Sequence, residues 1–125
     1  DDLGIKTDLD LRSTGITESP IGSDVNFIKV FISNYVAAFS ETDKYAKIIA
    51  TYADIDNYPI YLHCMGGADR TGTVAVIVEA LAGADEAELS IDYELTGFSS
   101  VGARPRNSTS YKRNRGHKDG SGTFY

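Results

Sequence analysis

Along "IKTDLDLRS", Ile5 to Ser13, the apolar residues Ile5, Leu9 and Leu11 stand among polar ones, and the Leu9/Leu11 alternation predicts a short strand ending near Arg12. The polar stretch from Thr14 to Asp24, with Gly15, Pro20 and Gly22, reads as a loop. "VNFIKVFI", Val25 to Ile32, is β-branched and aromatic and predicts a second strand. Between Ser40 and Ala53 the apolar residues Tyr45, Ile48, Ile49 and Tyr52 recur at helical spacing, with Ser40 or Thr42 as the candidate cap. "DIDNYP" then interrupts the pattern, and "IYLHC" predicts a short buried strand.

After Arg70 the run "TGTVAVIVEALAG" is almost wholly apolar and too long for one strand. It predicts a buried helix from about Thr71 to Ala82, closed by Gly83. A further helix is expected over Asp85 to Leu95, with Leu89 and Tyr93 facing inward and Ile91 as a third candidate. From Ser99 onward apolar residues are few and no period is present, so 101–125 reads as a basic segment, ordered only where it packs on the body. The predicted order, β-β-α-β-α-α, indicates an α/β layer fold in a single domain over 1–125, with Ile60 to His63 as a central strand.

Composition sets outer bounds. A chain of 125 residues with 42% hydrophobic and 10% aromatic content can build one core. No run approaches the roughly 18 apolar residues of a membrane helix, so no membrane span is expected. Asp1 to Gly4 lack the basic start and apolar stretch of a signal peptide. Residues 1–100 hold 6 of the 12 Lys and Arg but 17 of the 18 Asp and Glu, and this acidic body argues against nucleic acid as a partner. The lone cysteine, Cys64, forms no internal disulfide and is either buried filler or a reactive thiol.

Its surroundings favour reactivity. Five residues, Met65, Gly66, Gly67, Ala68 and Asp69, separate Cys64 from Arg70, and the predicted helix follows directly. The glycine pair lets the backbone curl and aim successive N–H groups at one point, and the helix N-terminus adds unpaired donors and partial positive charge. Together they make a site for a tetrahedral anion such as phosphate or sulfate. A guanidinium at Arg70 can grip two phosphate oxygens at once. The same setting favours the thiolate, because cysteines at helix N-termini or beside cations have pKa values lowered from about 8.5 to about 3.5–7.5. The implied chemistry is thiolate attack on a phosphate ester, a cysteinyl-phosphate, then hydrolysis.

Asp69 is a candidate proton donor for the leaving group, or a brace for the loop. Thr71 is a candidate to donate a hydrogen bond to the thiolate, to cap the helix, or to do both. His63 precedes Cys64 on the strand and points to the opposite face, which suits a buried orienting role better than that of catalytic base. Asp10 and Arg12 are read as a strand-end ion pair that could also approach the loop. Tyr35, His117 and the pair Arg104 and Arg106 are candidates to line a cleft. No cluster has metal-ligand spacing, and neither metal nor cofactor is expected.

The combined string "HCMGGADRTG" resembles the phosphate-binding signature of the cysteine-dependent protein tyrosine phosphatase superfamily. Its Asp-Arg-Thr-Gly ending is similar to the bacterial tyrosine and dual-specificity branch. "LGIKTDLDLRS" and "DYELTGFSS" resemble further segments of that branch, and the resemblance spans about residues 3 to 107. It implies a three-layer α/β fold with a central, mainly parallel sheet flanked by helices. It further implies Cys64 as nucleophile, Arg70 as phosphate clamp, a cradle of N–H groups from Met65 to Arg70, and a phosphorylated protein or small phosphoester as substrate. Where members that handle phosphoinositides often carry lysine, this chain has Ala68. Where several relatives have an acidic residue after the second strand, it reads "FISNY", and the proton-donor role passes to Asp69. Relatives have a segment before "DLGIK" and helices after the basic stretch, so the chain reads as a truncated domain. Two other readings stay open: a phosphoinositide or inositol phosphate substrate, and a non-catalytic phosphate-binding module.

Overall fold

Leu9 and Leu11 are fully buried and organise the core from the middle of the sheet. The computed structural model describes residues 3–13, 15–33 and 38–95. The elements run β1 (Thr7–Asp10), β2 (Asn26–Lys29), a 3-10 turn (Ala38–Glu41), α1 (Thr42–Ala53), a second 3-10 turn (Ile55–Asn57), β3 (Ile60–His63), α2 (Asp69–Leu81) and α3 (Glu86–Leu95). The chain divides into two compact units, Asp1–Ala84 and Asp85–Tyr125.

In the first unit the strands form a parallel sheet in the order β2-β1-β3. Leu9 lies beside Ile28 and Leu62, and Asp10 beside Lys29 and His63. The α/β class with a parallel sheet is therefore as expected, but the centre is not. Among the described residues β1 is the middle strand and β3 an edge, because all four residues of β1 are buried whereas those of β3 are half-buried or exposed. The alternation of Leu with Asp looks like a strand with one wet face, yet Asp8 and Asp10 are also fully buried. That second face is polar rather than solvated.

The apolar face carries Leu9, Leu11, Val30, Ile32 and Cys64, packed with Tyr45 and Ile48 of α1 and Val74 of α2. Each such side chain contributes about 1.5–3 kcal/mol on burial. Neither Ser40 nor Thr42 caps α1: Glu41 occupies that position without a side-chain cap bond, because the 3-10 turn leads straight into the helix. At the other end of α1, Asn57 Nδ2 donates to the Thr51 carbonyl (2.9 Å) and Tyr58 hydroxyl to that of Tyr52 (2.8 Å), supplying partners that last-turn carbonyls lack within a helix.

α2 ends as predicted. Gly83 takes φ +100°, and the N–H groups of Gly83 and Ala84 return to the carbonyls of Ala80 and Glu79. Its start differs, since the helix begins at Asp69 rather than Thr71.

In the second unit, Asp85 Oδ1 accepts from the N–H groups of Ala87 (2.8 Å) and Glu88 (3.0 Å), while Glu88 Oε2 accepts from Asp85 N–H (2.9 Å). This reciprocal pair is a capping box that opens α3. Leu89 is buried as expected, but Ile91 is 65% exposed, since residues two apart on a helix point to nearly opposite sides. The Tyr93 side chain and the basic segment 101–125 lie outside the described residues. Among the described residues, no helix is long and apolar enough to cross a membrane.

Candidate functional site

The C-terminal end of a parallel sheet, where strands hand over to helices, is where open α/β folds gather ligand-binding groups. β3 reaches that end at His63, and His63 and Cys64 send their side chains to opposite faces. Cys64 joins the apolar face and is 8% exposed. His63 turns to the polar face.

The segment from Cys64 then curls into α2. Gly67 has φ +68°, a left-handed conformation that side chains disfavour, and this residue makes the turn. Gly66 takes no such conformation, so the two glycines are not equivalent. Gly66, Gly67 and Thr71 bring their backbone N–H groups near enough to Cys64 to favour its thiolate. Burial pushes the thiol pKa up, but the Thr71 hydroxyl together with those three N–H groups outweighs it, and the net value lies below that of an ordinary cysteine. Thr71 Oγ1 is buried and has no hydrogen-bond partner, although its nearness to Cys64 is among the causes that lower the thiol's pKa.

The earlier start of α2 relocates three residues. Ala68, not Thr71, is the N-cap, and it offers no side-chain cap. Thr71 therefore does not cap the helix. Asp69 and Arg70 sit in its first turn instead of the loop, and the first intrahelical bond is donated by Gly72 N–H to the Ala68 carbonyl (2.9 Å). A carboxylate in the first turn is favourable toward the helix dipole. Met65 is 71% exposed. Arg70 Nη1 donates to the Leu11 carbonyl at 3.2 Å, using one of the five guanidinium N–H groups.

On the polar face His63 Nε2 and Asp8 Oδ1 are 2.8 Å apart, and Ser19 Oγ donates to Asp8 Oδ2 at 2.7 Å. The Tyr61 ring stacks on His63, with centroids 4.9 Å apart and an interplanar angle of 17°. Arg12 grips Asp10 with both Nε (2.8 Å) and Nη2 (2.9 Å), and its backbone N–H adds a third bond (2.8 Å). Burial opposes the ionisation of Asp10, yet the Arg12 hydrogen bonds hold its pKa below the ordinary carboxylate value. The strand-end ion pair is thus present, and Leu11, between its partners, is the residue that touches Arg70.

Three residues near this end escaped sequence reasoning. Asp8 and Ser19 carry no signal until β1 is known to be buried on both faces. Glu41 accepts from Ser33 N–H (3.0 Å), Ser33 Oγ (2.7 Å) and Lys44 Nζ, and so places a carboxylate beside Ser33. Its donors leave it an acceptor, suited to bracing the end of β2. Tyr35, Arg104, Arg106 and His117 lie outside the described residues. Among the described residues, no group of three or more His, Cys, Asp or Glu is arranged to hold a metal ion.

Among known families, the model described as "Tyrosine phosphatase family" matches residues 1–119 of the chain. No curated protein matches.

Proposed function

Because the chain belongs to the tyrosine phosphatase family, we propose that it hydrolyses phosphomonoesters with Cys64 as nucleophile, phosphotyrosine in proteins being the substrate class. The observation that carries this is the place of Cys64, buried directly after β3, with Gly66, Gly67 and Thr71 near enough to lower its pKa and Arg70 in the first turn of the helix that follows. A buried thiol so surrounded is stabilised as the thiolate, the form that attacks. Donors that favour an anionic sulfur also favour phosphate oxygens carrying charge in the transition state.

The sequence of events is a double displacement. The Cys64 thiolate attacks phosphorus, an S–P bond forms, and the P–O bond to the leaving group breaks. The departing phenoxide or alkoxide takes a proton, for which Asp69 in the first turn of α2 is the proposed donor. Water then attacks the cysteinyl-phosphate, giving its proton to the same carboxylate. The S–P bond breaks, and orthophosphate leaves with the thiolate restored. Arg70 holds the phosphoryl oxygens through the guanidinium N–H groups other than the one bonded to Leu11. Met65, exposed next to the nucleophile, offers an apolar neighbour to an aromatic ring.

The test is turnover of a panel holding phosphotyrosine, phosphoserine and phosphoinositide, with an aryl phosphate as reference. Hydrolysis is expected to be highest on phosphotyrosine, inhibited by vanadate, insensitive to chelators and lost in Cys64→Ser. Binding of phosphopeptide without turnover by the wild-type protein would instead make the chain a phosphate-binding module.

A further inference from the structure

We propose that Asp8, held by Ser19, is a positioning residue for the Cys64 loop and acts through His63; the inference rests on the reading of Cys64 as nucleophile.

Asp8 sits in the middle strand with its carboxylate turned away from the apolar core and fully buried. Burying a carboxylate costs free energy that hydrogen bonds recover only in part, and well-packed apolar replacements of buried ion pairs are often as stable or more so. Stability alone does not call for an acid at this position. What the acid does is bind. Its Oδ2 accepts from Ser19 Oγ and its Oδ1 meets His63 Nε2. The bond between Asp8 Oδ1 and His63 Nε2 fixes the orientation of the imidazole ring.

His63 is held at three further points. Its ring stacks on Tyr61, its strand pairs with β1, and its carbonyl accepts from Leu11 N–H at 2.9 Å. Leu11 in turn accepts from Arg70. The residue bonded to Asp8 therefore adjoins Cys64 in sequence, and Leu11, the first residue past the strand bearing Asp8, anchors Arg70. The other charged or titratable groups on this face are accounted for differently: Arg12 on Asp10, Lys29 Nζ on the Ile16 carbonyl (3.0 Å), and Tyr61 on the His63 ring. Ser19 belongs to the loop before β2, and its Oγ also accepts from Ile21 N–H (3.3 Å), so the outer end of the line is itself fixed.

The experiment compares Asp8→Asn, Ser19→Ala, Ser19→Thr, His63→Gln and the Asp8→Asn/His63→Gln double variant in the full chain. Steady-state turnover of an aryl phosphate and the pH profile of Cys64 alkylation by iodoacetamide are both read. Asp8→Asn is expected to lower kcat by about tenfold, as small misplacements of reacting groups do, with KM little changed. It is also expected to move the alkylation midpoint to higher pH. The direction is decisive, since loss of a nearby negative charge acting only through its field would move the midpoint down. Ser19→Ala, the milder variant, should shift both readouts the same way by less, and Ser19→Thr should restore them. In the His63→Gln background Asp8→Asn should add almost nothing. An unchanged or downward midpoint, or effects of Asp8 and His63 that multiply, overturns the proposal. The Cys64 reading fails separately, if wild type and Cys64→Ser show equal turnover, and the alkylation profile still decides on Asp8.

Discussion

Arg70 and Leu11 are joined by a hydrogen bond from the guanidinium Nη1 to the backbone carbonyl, 3.2 Å long, that ties the first turn of α2 to the middle strand. One such bond is worth about 1 kcal/mol net, so Arg70→Ala should lower stability only to that extent. Its effect on catalysis should be far larger, at least about 100-fold in kcat/KM, as for the loss of an oxyanion donor. Arg70→Lys keeps the charge but not the planar fork and should recover little. Denaturant melts beside aryl phosphate kinetics separate the two effects.

Cys64 should alkylate with a midpoint below the free-cysteine value of about 8.5, because the thiolate is the reacting form and the surrounding donors favour it. Thr71→Ala removes the hydroxyl and should move the midpoint up, while Thr71→Ser should leave it near wild type. A midpoint unaltered in Thr71→Ala would remove the hydroxyl from that role.

Gly67 and Gly66 should respond differently to alanine. A Cβ at either meets nothing within 4 Å, so space is not the constraint. At Gly67 the φ of +68° is, and Gly67→Ala should cost about 1–2 kcal/mol and depress turnover. Gly66→Ala should stay within about 0.5 kcal/mol of wild type.

Asp69→Asn tests the proton donor by comparing leaving groups. Alkoxides need protonation and phenoxides much less, so an alkyl phosphate should lose about 100-fold or more and an aryl phosphate under tenfold. Equal losses on both would leave Asp69 as a brace for the first turn of α2.

Asp10 predicts how stability follows pH. Its folded pKa lies below the ordinary 3.8, so the Arg12 pair contributes in full above that value and is lost as pH falls through the lower folded one. Arg12→Gln should therefore melt below wild type by a constant margin above about pH 5, and the gap should close in more acid solution. Thermal melts at a series of pH values check this.

The sequence by itself determined most of the element order and the setting of the thiol. Helical periodicity located α1, the apolar run and Gly83 located α2 and its end, and the His-Cys to Thr-Gly string placed Cys64 between strand and helix. These are local properties, set by side-chain spacing and by the few residues that tolerate unusual backbone angles. Only the tertiary structure decided which strand is central, because burial on two faces depends on neighbours that the strand itself does not encode. The same cause hid Asp8 and Ser19, since "DLDLR" reads as a wet edge until a loop and His63 close over it. The start of α2 at Asp69 was hidden too: no side chain caps that end, so the sequence carries no start signal, and the turn at Gly67 fixes where helical bonding begins. From that start follows that Thr71 lies inside the helix and is not its cap.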